Sequence, residues 1–395
     1  MAAAVAAGEP GDDCSISKED YYVVDGMRLV KPYHFNFKCR VKERWMGRDV
    51  LDVFLAEFPS HDREYYERAL KEGRLKVEDT RKNKSWKGGP LEDGQCIRHY
   101  IHRHEPPALP QLPEVLDVTE TVVAVNKPPT LPVHTSGQYR KNTVQALVEL
   151  HNPELGPLYS VHRLDKTVSG VLLFARSPAS ARVIQSLIIG GSVEKVYVAR
   201  VMGIFPDEER TVEVYLDWDP KMNKAVVVDK PVDASYSIRE KKGPKFSETE
   251  VRLLKVAEDG QTSIVECRPR TGRTHQIRIH LEHLGFPIAN DYQYGGTMAK
   301  NRPNYDGWRF AEDTNGTTSS QDEVQKTEMG KAEKLEKHLS KYPFRVDDDL
   351  VDPLCPHCPA AIPVNYPVNL EPIWLHATSY SCEDWSFQSP MPDWA

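Results

Sequence analysis

The sequence predicts an α+β fold with a mixed, largely antiparallel sheet and flanking helices. Strand-like segments follow one another through residues 194–269 with few helices between them, which is typical of an α+β domain rather than of alternating βαβ units. A smaller unit with two helices, residues 38–105, comes before this part. The proline-rich segment HEPPALPQLPE (104–114) is predicted to link the two.

The N-terminal elements are predicted from apolar spacing. Residues 1–37 form an extension with a short strand at YYVVDGM. GRDVLDVFLAEF repeats its apolar residues at helical spacing. DREYYERALKEGRLKV predicts a second helix that ends at Gly73 and is followed by a strand.

Residues 106–296 alternate between strand and helix patterns. VLDVTETVVAVNKP predicts two strands, and TVQALVELH and SPASARVIQSLIIGG predict helices that begin at a polar cap. Further strands are predicted at EKVYVARVMG, TVEVYLDW, KAVVVD, FSETEVRLLKV and TSIVECRP. GRTHQIRIHLEHLG then predicts a helix with Ile277, Leu281 and Leu284 on one stripe.

The last hundred residues divide into two parts. Residues 297–345 are polar and predict a flexible arm. Residues 346–395 are richer in aromatic side chains and predict a tail that packs back on the body.

Composition limits the class of protein. The seven cysteines are scattered and odd in number, which favours a reducing compartment. No apolar run has the length of a membrane span, and the N-terminus is not a good targeting signal. The net charge of −7 comes from the ends of the chain, so a local basic face is still compatible with RNA binding. We expect a monomer with no membrane partner, in the cytoplasm first, with nucleus or organelle as alternatives.

One acid stands out in the stretch YSVHRLDKTVSGVLLFARS. Asp165 ends a polar, loop-like half, and the run from Gly170 to Ala175 reads as a buried strand. A lone aspartate before a core strand is either an ordinary loop or cap residue or a positioned catalyst. The spacing alone leaves both alternatives open.

Four motifs in order resemble those of the RluA-type RNA pseudouridine synthases. HRLDKTVSGVLLFAR resembles the catalytic signature, although Val168 lies in its variable window. VNKPPTLPVH, EKVYVARVMG and RPRTGRTHQIRIHLEHLGFPIANDYQYG are similar to three other family motifs, in the family's order. The resemblance covers about residues 110–296 and implies a pseudouridine synthase catalytic domain.

The resemblance implies an isomerase that turns a uridine into pseudouridine. This reaction has no redox change and uses no external energy, so no cofactor is implied. Asp165 would be the catalytic carboxylate, either as a nucleophile or as a base in a glycal route. Arg278 would be its partner, because a guanidinium keeps an enclosed carboxylate charged. Arg273 would face substrate or phosphate.

Other residues receive roles from the same resemblance. The base must leave the RNA stack to reach the acid, and Tyr197 would hold the flat uracil by stacking. Arg163 would enter the place of the flipped nucleotide, or else contact phosphate. His162 would shape the loop beside the substrate, and Lys127 would line the cleft.

Residues 38–105 resemble, more loosely, the αL (S4-type) RNA-binding module. The matching features are two helices, GRLKV, and a strand after GPLEDGQ. Its basic residues could contact phosphates, which give affinity without sequence reading. These residues are Arg40, Lys42, Arg44, Arg74, Lys76, Lys82, Lys84 and Lys87.

Cys355 and Cys358 have the spacing of a metal-binding knuckle, with His376 and Cys382 as candidate completing ligands. A single CxxC pair is also compatible with an ordinary turn, so no metal is assigned from the sequence.

The expected substrate is a stem-loop RNA, because loops allow a base to be splayed out. The long C-terminal segment resembles eukaryotic family members, some of which act on tRNA, so tRNA is the first choice and rRNA the second. A non-catalytic RNA-binding or chaperone protein is the alternative from another functional class.

Overall fold

The structure is a computed structural model. It describes residues 15–58, 61–79, 84–86, 88–230, 243–298, 331–364, 366, 368 and 370–395. In chain order its main elements are β1 (Tyr21–Val24), β2 (Met27–Val30), β3 (Tyr33–Arg40), α1 (Val50–Glu57), α2 (Arg63–Lys71), β4 (Leu75–Asp79), β5 (Lys84–Ser85), β6 (Gln95–Arg103), β7 (Glu114–Val118), β8 (Val122–Lys127), α3 (Val144–His151), β9 (Tyr159–Ser160), β10 (Ser169–Ala175), α4 (Pro178–Ile189), β11 (Glu194–Met202), β12 (Arg210–Asp219), β13 (Lys224–Val228), β14 (Lys245–Val256), β15 (Thr262–Pro269), α5 (Gln276–His283), α6 (Lys331–Lys341), β16 (Leu375–Ser381) and β17 (Ser386–Gln388).

The chain divides into two compact units. The first comprises Met1–Tyr22, Leu29–Pro106 and Thr327–Tyr366, and the second comprises Val23–Arg28, Pro107–Lys326 and Pro367–Ala395. Among the described residues, no helix combines the length and hydrophobicity that crossing a bilayer requires.

The first unit contains a four-stranded antiparallel sheet in the order β3-β6-β4-β5. Alternating residues of β3, β6 and β4 face the two helices α1 and α2, as the period of two in a strand requires. Trp45, Phe54, Tyr66 and Ile97 are fully buried in the resulting core. Because β3 begins at residue 33, this unit starts before the expected boundary at residue 38.

The second unit contains an eleven-stranded sheet whose main path is β13-β12-β14-β15-β11-β16-β10-β8-β7. Every strand pair in it is antiparallel except β10 and β16, which are parallel. Helix α5 packs on β13, β14 and β15, and α4 packs on β10. This is the mixed, largely antiparallel sheet with flanking helices that the sequence predicts.

The C-terminal segment differs from the expectation of a single tail on the body. Residues from 367 onward supply β16, which lies between β10 and β11 in the middle of the sheet, whereas residues up to 366 belong to the first unit. Most of the expected arm, residues 299–330, lies outside the described residues. Its described end forms the helix α6 rather than a flexible segment.

A glycine of the stretch HRLDKTVSG makes room for β16. Gly170 pairs with Ala377 and has φ +107°, a conformation that residues with a side chain rarely adopt. A Cβ atom at this position would lie 2.1 Å from the carbonyl oxygen of Ala377. The motif therefore carries glycine because the backbone of β16 occupies the place of a side chain.

Candidate active site

Asp165 lies in the loop between β9 and β10. The backbone N–H of Val168 donates to the carbonyl oxygen of Asp165 at 3.1 Å, which closes a turn around the acid. The Asp165 side chain is 21% exposed, so its carboxylate is enclosed but still reachable. A short continuous apolar strand, β10, anchors the end of this loop in the core.

Lys127 holds this loop through hydrogen bonds to its backbone. Its side chain is fully buried, and its Nζ donates to the carbonyl oxygens of Pro128, Lys166 and Val168 at 3.0, 3.0 and 2.6 Å. Burial lowers the pKa of Lys127 to about 7, and the charge of Asp165 acts in the opposite direction. All three ammonium donors are used by the backbone. The expectation that Lys127 binds substrate is therefore corrected to a role in positioning the loop.

Arg278 reaches Asp165 from α5. Its Nη1 lies 3.4 Å from Asp165 Oδ2, while Nε and Nη2 donate to the two carboxylate oxygens of Asp291 at 2.5 and 2.9 Å. Nη2 also donates to Gln293 Oε1 at 2.8 Å. Although burial disfavours the charged guanidinium, the bond to Asp291 raises the pKa of Arg278. Asp291 therefore fixes the orientation of Arg278, and Asp165 receives the longer contact.

Tyr294 and His275 complete the shell around Asp165. The Arg278 guanidinium lies over the Tyr294 ring at 4.7 Å. Tyr294 Oη accepts from the backbone N–H of Ala225 at 2.8 Å and lies 2.9 Å from His275 Nδ1, and His275 Nε2 lies 3.6 Å from Asp165 Oδ2. If the Tyr294 hydroxyl donates to Nδ1, the neutral ring carries its proton on Nε2, facing the carboxylate.

The expected helix GRTHQIRIHLEHLG starts later than its sequence pattern indicates. Helix α5 begins at Gln276, and His275 before it has φ 57° in the left-handed region. This conformation costs energy for a residue with a side chain. It turns the His275 ring toward Asp165 while Arg278 remains one turn inside the helix.

Tyr197 and His162 meet at a strand from the C-terminal segment. Tyr197 Oη and Tyr380 Oη lie 2.5 Å apart, and the ring of His162 stacks on Tyr380 at 4.8 Å. Burial raises the pKa of Tyr197 to about 12, and burial lowers the pKa of His162 to about 3. His162 Nε2 accepts from the backbone N–H of Leu173 at 3.0 Å. This contact ties His162 to β10 and agrees with the loop-shaping role expected for it.

Arg163 and Arg273 are exposed. Burial lowers the pKa of His275, and the positive charge of Arg163 acts in the same direction. Arg273 Nε donates to the carbonyl oxygen of Phe246 at 3.0 Å. Both residues therefore carry positive charge on the surface of the unit that holds Asp165.

Comparison with known proteins decides the family. A family model described as RNA pseudouridylate synthase matches residues 121–283, which include Asp165, Tyr197 and Arg278. RNA pseudouridine synthase 7 of Oryza sativa subsp. japonica is 38% identical over 379 residues, covering 96% of this chain and 92% of the relative. This chain belongs to the RNA pseudouridine synthase family.

Two further relatives of this pseudouridine synthase come from Saccharomyces cerevisiae. The protein named tRNA pseudouridine(32) synthase, mitochondrial, is 36% identical over 275 residues, covering 69% of this chain and 56% of the relative. The protein named tRNA pseudouridine(31) synthase is 30% identical over 427 residues, covering 95% of this chain and 97% of the relative.

The motifs pointed to Asp165 and Arg278, which the structure places in contact, but not to the residues around them. Asp291 and Tyr294 lie in the quoted stretch FPIANDYQYG, and His275 lies in GRTHQIR. The signal that could have found Asp291 is its position. It is an acid that lies shortly after the apolar run Pro-Ile-Ala and within fifteen residues of Arg278. Tyr380 gave no comparable signal, because its strand is nearly two hundred residues from β11.

Proposed function

We propose that this pseudouridine synthase modifies a uridine in a tRNA loop, with Asp165 as its catalytic carboxylate. The observation that carries the proposal is the contact of Asp165 Oδ2 with Arg278 Nη1 at 3.4 Å in a partly exposed loop. A charged carboxylate that substrate can reach, beside a fixed guanidinium, is what the chemistry needs. The non-catalytic alternative is weaker because these groups converge.

The reaction breaks the bond between C1′ of the ribose and N1 of uracil and joins C1′ to C5. C5 loses a proton and N1 gains one, so atoms and electrons balance without a cofactor. Asp165 either attacks as a nucleophile or removes a proton to form a glycal. Both routes begin with an ionised Asp165, which Arg278 and the polar edge of His275 stabilise.

Three residues are proposed to handle the RNA. Tyr197 would hold the plane of the everted uracil. Arg163, two residues before Asp165, would occupy the gap left by the base or contact a neighbouring phosphate. Arg273 would meet the RNA backbone, where a guanidinium can make two parallel hydrogen bonds to a phosphate.

The catalytic assignment is tested with Asp165→Asn. The amide is nearly the same size but has neither the charge nor the nucleophilicity of the carboxylate, so we expect pseudouridine formation to fall below detection while tRNA binding persists. Tritium release from [5-³H]uridine-labelled tRNA measures the reaction, and filter binding measures affinity. Asp207→Asn, at an exposed aspartate, is the matched control. Near wild-type activity of Asp165→Asn would refute the assignment.

The choice of tRNA is supported by the names of the two Saccharomyces cerevisiae relatives, and rRNA is the alternative substrate. The test is pseudouridine mapping over all cellular RNAs in cells with the wild-type protein and cells with Asp165→Asn only. Loss of a pseudouridine signal in a tRNA loop supports tRNA as the substrate. Loss confined to rRNA would identify rRNA as the substrate instead.

The first unit is proposed to be an S4-like RNA-binding module. Lys38 of β3, Arg98 of β6 and Lys76 of β4 are neighbours in register, on the sheet face opposite to α1 and α2. Arg98 also pairs with Glu78 at 2.8 Å, and this basic face could follow a phosphate backbone through Lys38 and Lys76. Among the other candidates, Arg44 and Arg74 pair with Glu57 and Asp352. Lys82, Lys87 and the side chain of Lys84 lie outside the described residues.

The module is tested by reversing charge on its basic face. The double variant Lys38→Glu and Lys76→Glu should bind tRNA more weakly and reduce the salt dependence of binding by about one unit per lost phosphate contact. Lys71→Glu on α2 makes the same kind of charge change away from that face. If Lys71→Glu weakens tRNA binding as much as Lys38→Glu or Lys76→Glu alone, the proposal that this face binds RNA is contradicted.

We further propose that the enzyme acts as a monomer in the cytoplasm, with an organelle as the alternative because one relative is named mitochondrial. Light scattering of the purified protein and imaging of a tagged full-length chain test the two statements.

A further inference from the structure

Four metal-binding side chains converge inside the first unit. They are His102 and His104 on either side of the end of β6, and Cys355 and Cys358 about 250 residues later. One ligand atom from each lies within 4.8 Å of all the others. Both imidazoles are buried and both thiols are half-buried.

The distances between these atoms resemble the edges of a zinc coordination tetrahedron. Zinc bonds of about 2.0 Å to nitrogen and 2.3 Å to sulfur imply edges of about 3.3 to 3.8 Å. His102 Nδ1 and His104 Nε2 lie 3.2 Å apart, and Cys358 Sγ lies 3.4 Å from each of them. Three ligand atoms are therefore already arranged as one face of the tetrahedron.

Surrounding contacts orient the ligands as metal sites require. His104 Nδ1, on the far side of the ring from the cluster, lies 3.4 Å from the carbonyl oxygen of Ala361. The backbone N–H of His357 donates to Cys355 Sγ, and that of Asp352 donates to Cys358 Sγ, both at 3.4 Å. Such outer contacts fix the histidine tautomer and stabilise thiolates.

We propose that His102, His104, Cys355 and Cys358 bind one structural Zn²⁺ ion. Two thiolates and two imidazoles form the Cys₂His₂ set of closed structural sites, and four protein ligands leave no position for substrate. The sequence assigned no metal and offered His376 and Cys382 as completing ligands. That choice is corrected, because His376 uses its two nitrogens on Ser169 and Ser389.

The ion would tie the C-terminal segment of the first unit to its sheet. Residues 355–358 return to β6 from far along the chain, and closing so long a loop is entropically unfavourable. A metal bound only by the folded state offsets that cost through its binding free energy. The site would thus stabilise the fold around the basic face and take no part in the chemistry at Asp165.

The primary test measures metal in full-length protein purified under reducing conditions without added zinc or chelator. Inductively coupled plasma mass spectrometry should find about one zinc per wild-type chain. Cys358→Ser should lose most of it. Cys382→Ser, at another half-buried cysteine, should keep it all. Full zinc in Cys358→Ser, its loss in Cys382→Ser, or iron in place of zinc would overturn the proposal.

A second measurement applies if Cys358→Ser does not fold. Wild-type protein treated with a strong chelator should release its zinc and melt at a lower temperature, and added Zn²⁺ should restore the melting temperature. Co²⁺ added to the stripped protein should give the visible bands of a tetrahedral, thiolate-bound ion. A folded protein that takes up neither ion, or a Cys355–Cys358 disulfide found by mass spectrometry of the reduced preparation, would overturn the proposal.

Discussion

At the scale of residues, the proposed active centre depends on how one guanidinium is shared. Arg278 gives its two short bonds to Asp291 and a longer contact to Asp165. A carboxylate that is tightly hydrogen bonded is a weaker nucleophile and base, whereas one with a distant positive neighbour is charged and still reactive. We infer that Asp291 is a positioning residue, which keeps Arg278 near Asp165 without capping it.

Asp291→Asn tests this division of roles. The amide cannot accept both guanidinium bonds, and a lost charged hydrogen bond costs about 1.5–3 kcal/mol. We expect kcat to fall by about tenfold to a hundredfold with little change in KM, since the Asp291 carboxylate is buried and bonded to Arg278. Single-turnover and steady-state kinetics check this, with Asp207→Asn as the control. A change confined to KM would contradict the positioning role.

Lys127→Met tests the support beneath the loop. Methionine is unbranched and only one heavy atom shorter, but it leaves three backbone carbonyl oxygens without their donor, and unsatisfied buried groups cost about 1–3 kcal/mol each. Part of this cost is relieved by relaxation, so we expect about 2–4 kcal/mol lower stability and reduced kcat. Urea unfolding and tritium release are the measurements. Lys230→Met, at an exposed lysine, should leave both unchanged.

The sequence could propose Asp165 and Arg278 because their motifs match a family. It did not single out Asp291, because the position of an acid after an apolar run does not by itself show that its carboxylate is buried against Arg278. Lys127 was misread for a related reason. A lysine before two prolines resembles an exposed loop residue, and only the fold reveals that its ammonium is enclosed by carbonyl oxygens.

At the scale of elements, the parallel strand β16 is what joins the two halves of the main sheet. It pairs with β10 on one side and β11 on the other, and its Tyr380 contacts both Tyr197 and His162. The helices α1 to α5 and most strands between residues 75 and 270 were predictable from apolar period and caps, whereas β2, β3 and β9 were not. The sequence did not predict β16, because its stability comes from partners that are remote in the chain.

Gly170→Ala should disrupt this strand. Its Cβ would lie 2.1 Å from Ala377 O at φ +107°, so we expect at least about 3 kcal/mol lower stability from strain and lost pairing. Gly156 also has a positive φ, of 69°, but an added Cβ would meet open space. Its ψ of −168° also lies in a region that is essentially restricted to glycine, so Gly156→Ala should cost about 1–3 kcal/mol from backbone strain alone, without a clash. Similar unfolding midpoints for the two variants in urea would show that β16 does not need the glycine.

At the scale of the whole molecule, buried neutral histidines make the fold sensitive to acid. His280 is fully buried on α5, its Nε2 lies 2.8 Å from Ser247 Oγ, and among the described residues its Nδ1 has no hydrogen-bond partner. Burial lowers the pKa of His280 to about 4, from 6.5. Protonation would therefore place an unpaired positive charge in the core.

The direction of the pH effect follows from this lowered pKa. Above pH 6.5 neither state is protonated, and as the pH falls toward 4 the unfolded chain takes up the proton first, so stability is lost. At pH 5 this one residue accounts for about 2 kcal/mol. His280→Gln should flatten the decline in urea stability between pH 7 and 5, and His283→Gln, at an exposed histidine, should not. An unchanged decline in His280→Gln would contradict the assignment.

The division into units was only partly visible in the sequence. The proline-rich segment 104–114 indicated the boundary between the smaller N-terminal unit and the unit with the larger sheet. The sequence could not show that the segment Thr327–Tyr366 belongs to the first unit and Pro367–Ala395 to the second. The polar composition before these segments is compatible with either arrangement.

The place of β16 also bears on how a cell makes this enzyme. A ribosome synthesises the chain from its N-terminus, and domains ordinarily fold as they emerge. Here β10 and β11 cannot acquire their shared neighbour until residues 375–381 have left the exit tunnel. Until then the nascent sheet has an open seam between β10 and β11, and a chain terminated before residue 375 would lack the strand that carries Tyr380.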